Sequence, residues 1–296
     1  MSNSSFLSQN SKLKTQDLSP GQAATLACLL EVTAPKVGNV HRGADFEKLT
    51  FTDFVASAVA IGPAMEHAAT TGVGRAVLSA IQATRQLVST NTNLGMVLLI
   101  APLAAVPRGE SLQVGIANVL NSLTADDSAL VYEAIRLAQP GGMGEAKEMD
   151  IAAAAPPSLL AAMKAAEERD LVARQYSTNF AIVLSEILPN LLAGQQKGWS
   201  LTDNIIREHV RLISVYSDSL IARKCGSETA TQASAYAAQV LAAGDIDDEN
   251  YHAALSDFDF WLRADGQQRN PGTTADLIAA ALFAGLRDGL LSPPYR

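Results

Sequence analysis

The stretch "EVTAPKVGNVHRG", residues 31–43, places Glu31, Lys36, Asn39, His41 and Arg42 around one proline and two glycines. Glu31 or His41 can take a proton from a hydroxyl, and Lys36, Asn39, His41 and Arg42 can donate to an anion. The same residues serve equally as a helix C-cap with a surface lysine. Four other stretches carry comparable chemistry. "STNTNLG" sets Asn91, Thr92 and Asn93 at the start of an intensely apolar run, where exposed N–H groups and the helix dipole favour an anion or where paired caps close the helix. "PGGMGEAKEMDI" brings Glu145, Glu148 and Asp150 after a glycine turn, oxygen ligands of the kind that hold Mg²⁺ beside phosphates.

"ERDLVARQ" spaces Asp170 and Arg174 four apart, and "SVYSDSLIARKC" sets Asp218 ahead of Arg223 and Lys224. The first spacing equally suits a surface ion pair along one helix face. In "NPGTTADLIA", Asn270 and Gly272 precede Thr273 and Asp276. Thr273 and Asp276 have the spacing of an N-cap and its N3 acid, and Gly272 with the following N–H groups equally suits a phosphate cradle.

Helices must position these loops. The chain has 296 residues, 48% apolar and only 5% aromatic, so its core is built from Ala, Leu, Ile and Val. Ala and Leu are strong helix formers, and long runs of period-2 alternation are missing. The expectation is an all-α fold, a single globular multi-helix domain of about eleven helices over residues 19–296, after a disordered lead-in at 1–18. Ser19, Pro20 and Gln22 read as a capping box opening the first helix, which ends before Pro35. Gly62-Pro63 predicts a kink in the second helix. Val77, Ile81, Thr84 and Val88 share one face of the third. Continuous helices are expected over 171–193 and 202–224.

The net charge of −8 argues against nucleic-acid or anionic-membrane partners, and leaves room for a small basic pocket. The longest apolar stretch, "LGMVLLIAPLAAV", has 13 residues, short of the roughly 20 that span a bilayer. The N-terminus lacks the apolar run of a signal peptide, so a cytoplasmic protein is expected. Cys28 and Cys225 form no C-x-x-C pair, and Cys28 reads as core.

Taken together, these stretches resemble the triphosphoribosyl-dephospho-CoA synthase family. That family shows an early segment ending P-K-P-G, an N-T helix start, a G-x-x-G-E-A turn, a D-x-N-x-x-x-R helix and a late S-P-G-G-x-A-D-L-L-A segment. Here they read "EVTAPKVG", "NTNLG", "GGMGEA", "RDLVARQ" and "NPGTTADLIA", in the same order. Val37 replaces the second proline, Asn39-Val40-His41 replaces L-V-D, and Asp170 stands for a double aspartate.

The resemblance implies an all-α enzyme that moves the triphosphoribosyl group of ATP to the 2′-hydroxyl of 3′-dephospho-CoA and releases adenine. It implies catalytic roles for Glu31, Lys36 and His41. Asn39, Asn91, Thr92, Asn93, Arg174, Arg223, Lys224, Asn270, Gly272 and Asp276 would bind substrate, and Glu145, Asp150, Asp170 and Asp218 would hold Mg²⁺. Two other classes stay open. One is a related nucleotide- or phosphoribosyl-dependent transferase of another cofactor pathway, and the other a non-catalytic nucleotide-binding helical protein.

Overall fold

The computed structural model describes residues 18–141, 154–291 and 293–295. The expected disordered lead-in lies outside them apart from Leu18, which packs against the core. About 70% of the described residues are helical, with no strand among them. The chain forms fifteen α-helices there, where about eleven were expected.

They run α1 (Pro20–Thr33), α2 (Phe51–Glu66), α3 (Ala68–Thr71), α4 (Val73–Leu87), α5 (Leu94–Ala105), α6 (Leu112–Asn121), α7 (Ala125–Ala138), α8 (Leu159–Ala166) and α9 (Leu171–Ser177). A π-helical turn at Val183–Ile187 leads into α10 (Leu188–Gln196). Then follow α11 (Leu201–Tyr216), α12 (Ser219–Cys225), α13 (Ser227–Ala242), α14 (Glu249–Arg263) and α15 (Gly272–Arg287).

The expected caps form where side-chain oxygens meet free N–H groups. Ser19 and Gln22 make the capping box of α1, with Pro20 in the first turn. Thr50 and Asp53 do the same for α2, which carries Pro63 inside it. The extra helices come from breaks. The expected helix 171–193 is interrupted because Asn179 and Phe180 take φ values of 52° and 61°, a left-handed conformation no helix tolerates. Buried Gln175 bridges this break, its Nε2 donating to the Leu171 carbonyl and its Oε1 accepting from Val183 N–H. The expected helix 202–224 breaks at Ser217, φ 50°, after which Asp218 starts α12 by accepting from the N–H groups of Leu220 and Ile221.

The main core surrounds α5 and α15, whose apolar residues are almost all enclosed. Val77, Ile81, Thr84 and Val88 are all buried, as their shared face requires, and so is Cys28. A second apolar cluster gathers Val37 with residues of α11 to α14, including Val210, Ile221, Ala237, Tyr251 and Phe258. Tyr176 donates to the Leu98 carbonyl at 2.7 Å, tying α9 to α5. No helix is long and apolar enough to cross a membrane among the described residues.

Helices α1 and α2 touch backbone to backbone. A Cβ on Gly21 would stand 2.5 Å from the Gly62 carbonyl oxygen, an atom that cannot swing aside. Overpacking of this kind costs about 1–3 kcal/mol, more than the roughly 1 kcal/mol that alanine gains over glycine in a helix. Gly21→Ala should therefore lower stability in urea unfolding, with unchanged helix content in circular dichroism.

Candidate active site

A cavity of about 1370 Å³ opens between the end of α1, the starts of α5, α9 and α15, and helices α7, α8 and α12. Four of the five polar stretches read from the sequence converge on it. Asn91, Thr92 and Asn93 line it from the start of α5, and Asn39 and Glu31 from the α1 side. Asn270, Gly272, Thr273 and Asp276 line it from α15, and Asp170, Arg223 and Lys224 from α9 and α12.

Local structure fixes each of these. Asn91 caps α5 by accepting from Leu94 N–H at 3.1 Å. Asn93, at the formal cap position, instead sends its Nδ2 to Thr84 Oγ1 at 3.0 Å. Thr92 Oγ1 shares a 2.5 Å hydrogen bond with Ser57 Oγ. Asn39 Nδ2 donates to Asn270 Oδ1 at 2.5 Å, joining the opening loop to the approach of α15. Thr273 and Asp276 do not form the cap that their spacing suggests. Helix α15 begins after Pro271 without a side-chain cap, and Asp276 turns to the cavity. Gly95 makes room for it: a Cβ there would fall 1.9 Å from Asp276 Oδ2.

Other expected site residues sit elsewhere. Lys36 is wholly buried and lies outside the cavity wall, paired with Glu31 Oε1 at 2.7 Å. His41 is also outside the wall, with its Nδ1 accepting from Gly43 N–H. Burial, then the charge of Arg263, holds its pKa below the ordinary histidine value. Arg174 does not pair with Asp170 or reach the cavity. It donates to the Glu167 carbonyl and lies 3.6 Å from Glu168.

Asp218 is fully buried away from the wall, where its second oxygen accepts from Thr274 N–H at 2.7 Å. Asp170 reaches the wall, but one oxygen caps α9 and the other pairs with Arg223 at 3.0 Å. Glu145 and Asp150 lie outside the described residues. No group of three or more His, Cys, Asp or Glu side chains gathers as a metal site among the described residues.

The sequence reading passed over Lys48, Arg85, Arg169 and Thr90, which also line the cavity. Single cations on helices look like solvated surface. The usable signal for Arg85 was its place in the last turn of α4, just ahead of the "STNTN" segment. With Arg223 and Lys224, five cations face three acids, Glu31, Asp170 and Asp276. A cationic cavity in a protein of net charge −8 selects an anionic ligand from solution.

The wall also holds unmet polar atoms. Of seven buried polar side-chain atoms without a partner among the described residues, four belong to cavity residues: Glu31 Oε2, Asn39 Oδ1, Asn93 Oδ1 and Thr90 Oγ1. Buried polar atoms are nearly always satisfied, so these await a ligand or water.

A model of the ATP:dephospho-CoA triphosphoribosyl transferase family matches residues 17–293. The chain belongs to that family. It is a transferase of the triphosphoribosyl-dephospho-CoA synthase type. A crystal structure of a candidate triphosphoribosyl-dephospho-CoA synthase from Archaeoglobus fulgidus superposes with a TM-score of 0.60 at 27% identity, over 79% of this chain and 99% of that one. No curated protein matches the chain.

Within this transferase the two cavity acids Glu31 and Asp276 are unusual. Burial raises the pKa of Glu31 against the pull of Lys36. Asp276 is raised well above the ordinary carboxylate value, first by burial and then by the charges of Glu31 and Asp218. A group that binds its proton more tightly folded than unfolded loses stability as pH rises from its unfolded pKa through its folded one. Asp276→Asn removes this term. The variant should gain on the wild type as pH is raised from 5 to 8 in denaturant unfolding, and a constant difference across that range would refute the assignment.

Proposed function

We propose that the protein moves the triphosphoribosyl group of ATP to the 2′-hydroxyl of 3′-dephospho-CoA and releases adenine. The observation that supports this reading is the meeting of Glu31 Oε2, buried and unpartnered, with Asp276 on the wall of a cationic cavity. The volume, about 1370 Å³, exceeds the roughly 300–1,000 Å³ of single-ligand pockets, which suits two nucleotides bound together.

The chemistry breaks the bond from ribose C1′ to adenine and forms one from C1′ to the acceptor oxygen, through an oxocarbenium-like state. Glu31 Oε2 takes the acceptor's hydroxyl proton. Asp276, whose buried surroundings and acidic neighbours favour its protonated form, gives a proton to adenine as it leaves. The proton gained by Glu31 then returns to Asp276, so the pair is restored and the protons balance. Arg85, Arg169 and Lys48 have no carboxylate partner among the described residues and are available to the triphosphate, with Arg suited to two-point contacts.

Mg²⁺ is part of this proposal as the companion of the triphosphate, held largely by phosphate oxygens and water as is usual for that ion. Of the described residues expected to ligate it, Asp170 and Asp218 already have their oxygens engaged. They do not fit a dedicated site.

A second reading keeps the donor and changes the acceptor. Asn39 lines the cavity where the resembled pattern has leucine, and its Oδ1 is unmatched. A polar group in that place favours an acceptor with a hydrogen-bond donor there.

Incubation with ATP, Mg²⁺ and a panel of acceptors, read by mass spectrometry, separates the readings. Adenine release that depends on dephospho-CoA and a product heavier by triphosphoribose are expected. The same donor chemistry with a different acceptor selects the second reading, and nucleotide binding without turnover on any acceptor refutes both. Glu31→Gln should lower kcat by about 10²–10⁴-fold, the usual range for a general base.

A further inference from the structure

We propose that Lys36 is a positioning residue, which fixes Glu31 by one carboxylate oxygen and so presents the other to the acceptor hydroxyl; this rests on the transfer reading above. Pro35 is the origin of the arrangement. In a continuing helix the N–H of residue 35 would bond to the Glu31 carbonyl, but proline has none. The Lys36 ammonium takes that carbonyl instead, at 2.5 Å, together with the Ala34 carbonyl at 3.3 Å and Glu31 Oε1 at 2.7 Å. An ammonium has three N–H donors, and all three are matched. None is left for a phosphate, and the side chain is fully enclosed.

The consequence falls on Glu31. Its Oε1 is pinned and its Oε2 has no partner, while the residue lines the cavity. The charged and titratable groups around the pair are few. Cys28 stands one turn back on α1 and Asp276 faces Glu31 from α15. His209 of α11 faces Lys36, with Nε2 3.3 Å from the Val37 carbonyl and Nδ1 3.3 Å from Thr274 Oγ1. Burial, then the Lys36 charge, pushes His209 down to about 3. It is neutral at working pH, so Lys36 is the cation whose charge opposes the upward push of burial on Glu31.

The test compares wild type, Lys36→Met, Lys36→Arg and the double variant Glu31→Gln/Lys36→Met. ATP affinity is measured by calorimetry, alongside kcat across pH and melting temperature. Lys36→Met should bind ATP within about threefold of wild type and lose about tenfold to a hundredfold in kcat, the scale of a misplaced catalytic group. Its acid limb should move to higher pH, because Glu31 without its counter-charge ionises later. The double variant should recover the melting temperature and be no more active than Glu31→Gln.

If Lys36→Met does not fold, Lys36→Arg serves: kcat falls, ATP affinity holds, and the acid limb stays because the charge is kept. A loss of ATP affinity of tenfold or more in a folded Lys36 variant would overturn the proposal and make Lys36 a phosphate ligand. Wild-type kcat and pH profile in Lys36→Met would leave it a purely structural residue. A wild type that binds ATP without any turnover defeats the transfer reading, and Lys36 is then judged on ATP affinity alone.

Discussion

Lys36 and Glu31 meet at 2.7 Å with neither side chain reaching solvent. Taking two charges out of water costs several kcal/mol each, and a buried pair returns this only when its remaining donors and acceptors are also matched. The ammonium meets that condition and the carboxylate meets half of it. The deficit falls on Oε2, the unpartnered oxygen of a residue that lines the cavity. The loop after α1 is fixed by the same contact, and with it Val37, which packs into the second apolar cluster. The two halves of the chain are joined there by polar contacts at named atoms: His209 beside the Val37 carbonyl, Gly38 N–H on Asp259, and Asn39 on Asn270.

Three aspartates show how surroundings assign roles that residue type does not. Asp170 and Asp218 stand at the starts of α9 and α12, each accepting from two backbone N–H groups. Asp218 also accepts from Thr274 and so fastens the first turn of α15. A carboxylate accepting several N–H bonds is a structural anchor with little left for a ligand. Asp276 has no ion pair among the described residues and a glycine opposite it. The aspartate least engaged by its own chain is the one with an oxygen to offer.

The all-α architecture was legible because it rests on local rules. Alanine and leucine content, the Ser19–Gln22 box and the face through Val77 and Thr84 all describe neighbours in sequence. The break at Asn179 had a signal that was passed over, since asparagine is, after glycine, a residue that readily takes the left-handed region; Phe180 and Ser217 carry no such signal for their positive φ. The site was legible in outline. Asn91 to Asn93, Asn270 to Asp276 and Glu31 do share one cavity. The enclosure of Lys36 was not legible, because a proline before and a glycine after suggest a presented side chain. The missing N–H of Pro35 was the better clue, since it leaves a carbonyl that only the next side chain can reach. Arg85 was passed over because one-dimensional spacing does not tell a helix face toward solvent from one toward a cavity, and Arg169 because it stands in the turn between α8 and α9.

Family membership and substrate choice draw on different parts of this geometry. The family match runs over residues 17–293 and so takes in every residue of the cavity wall. Amides come to that wall from "NTNLG" and "NPGTTADLIA", and cations from Lys48, Arg85, Arg169, Arg223 and Lys224. The departures of this chain from the resembled pattern fall partly on the cavity wall. Asn39 and Val40 line the cavity, and Asn39 bonds to Asn270, itself the residue before the α15 approach. A polar pair there is satisfied on one side only, because Asn39 Oδ1 remains open. Leaving such an atom unmatched costs about 1–3 kcal/mol, enough to favour an acceptor that supplies a donor over one that does not by roughly tenfold to a hundredfold. On the transfer reading proposed above, the open oxygen of Asn39 is the wall atom with which an acceptor's own donor would be matched.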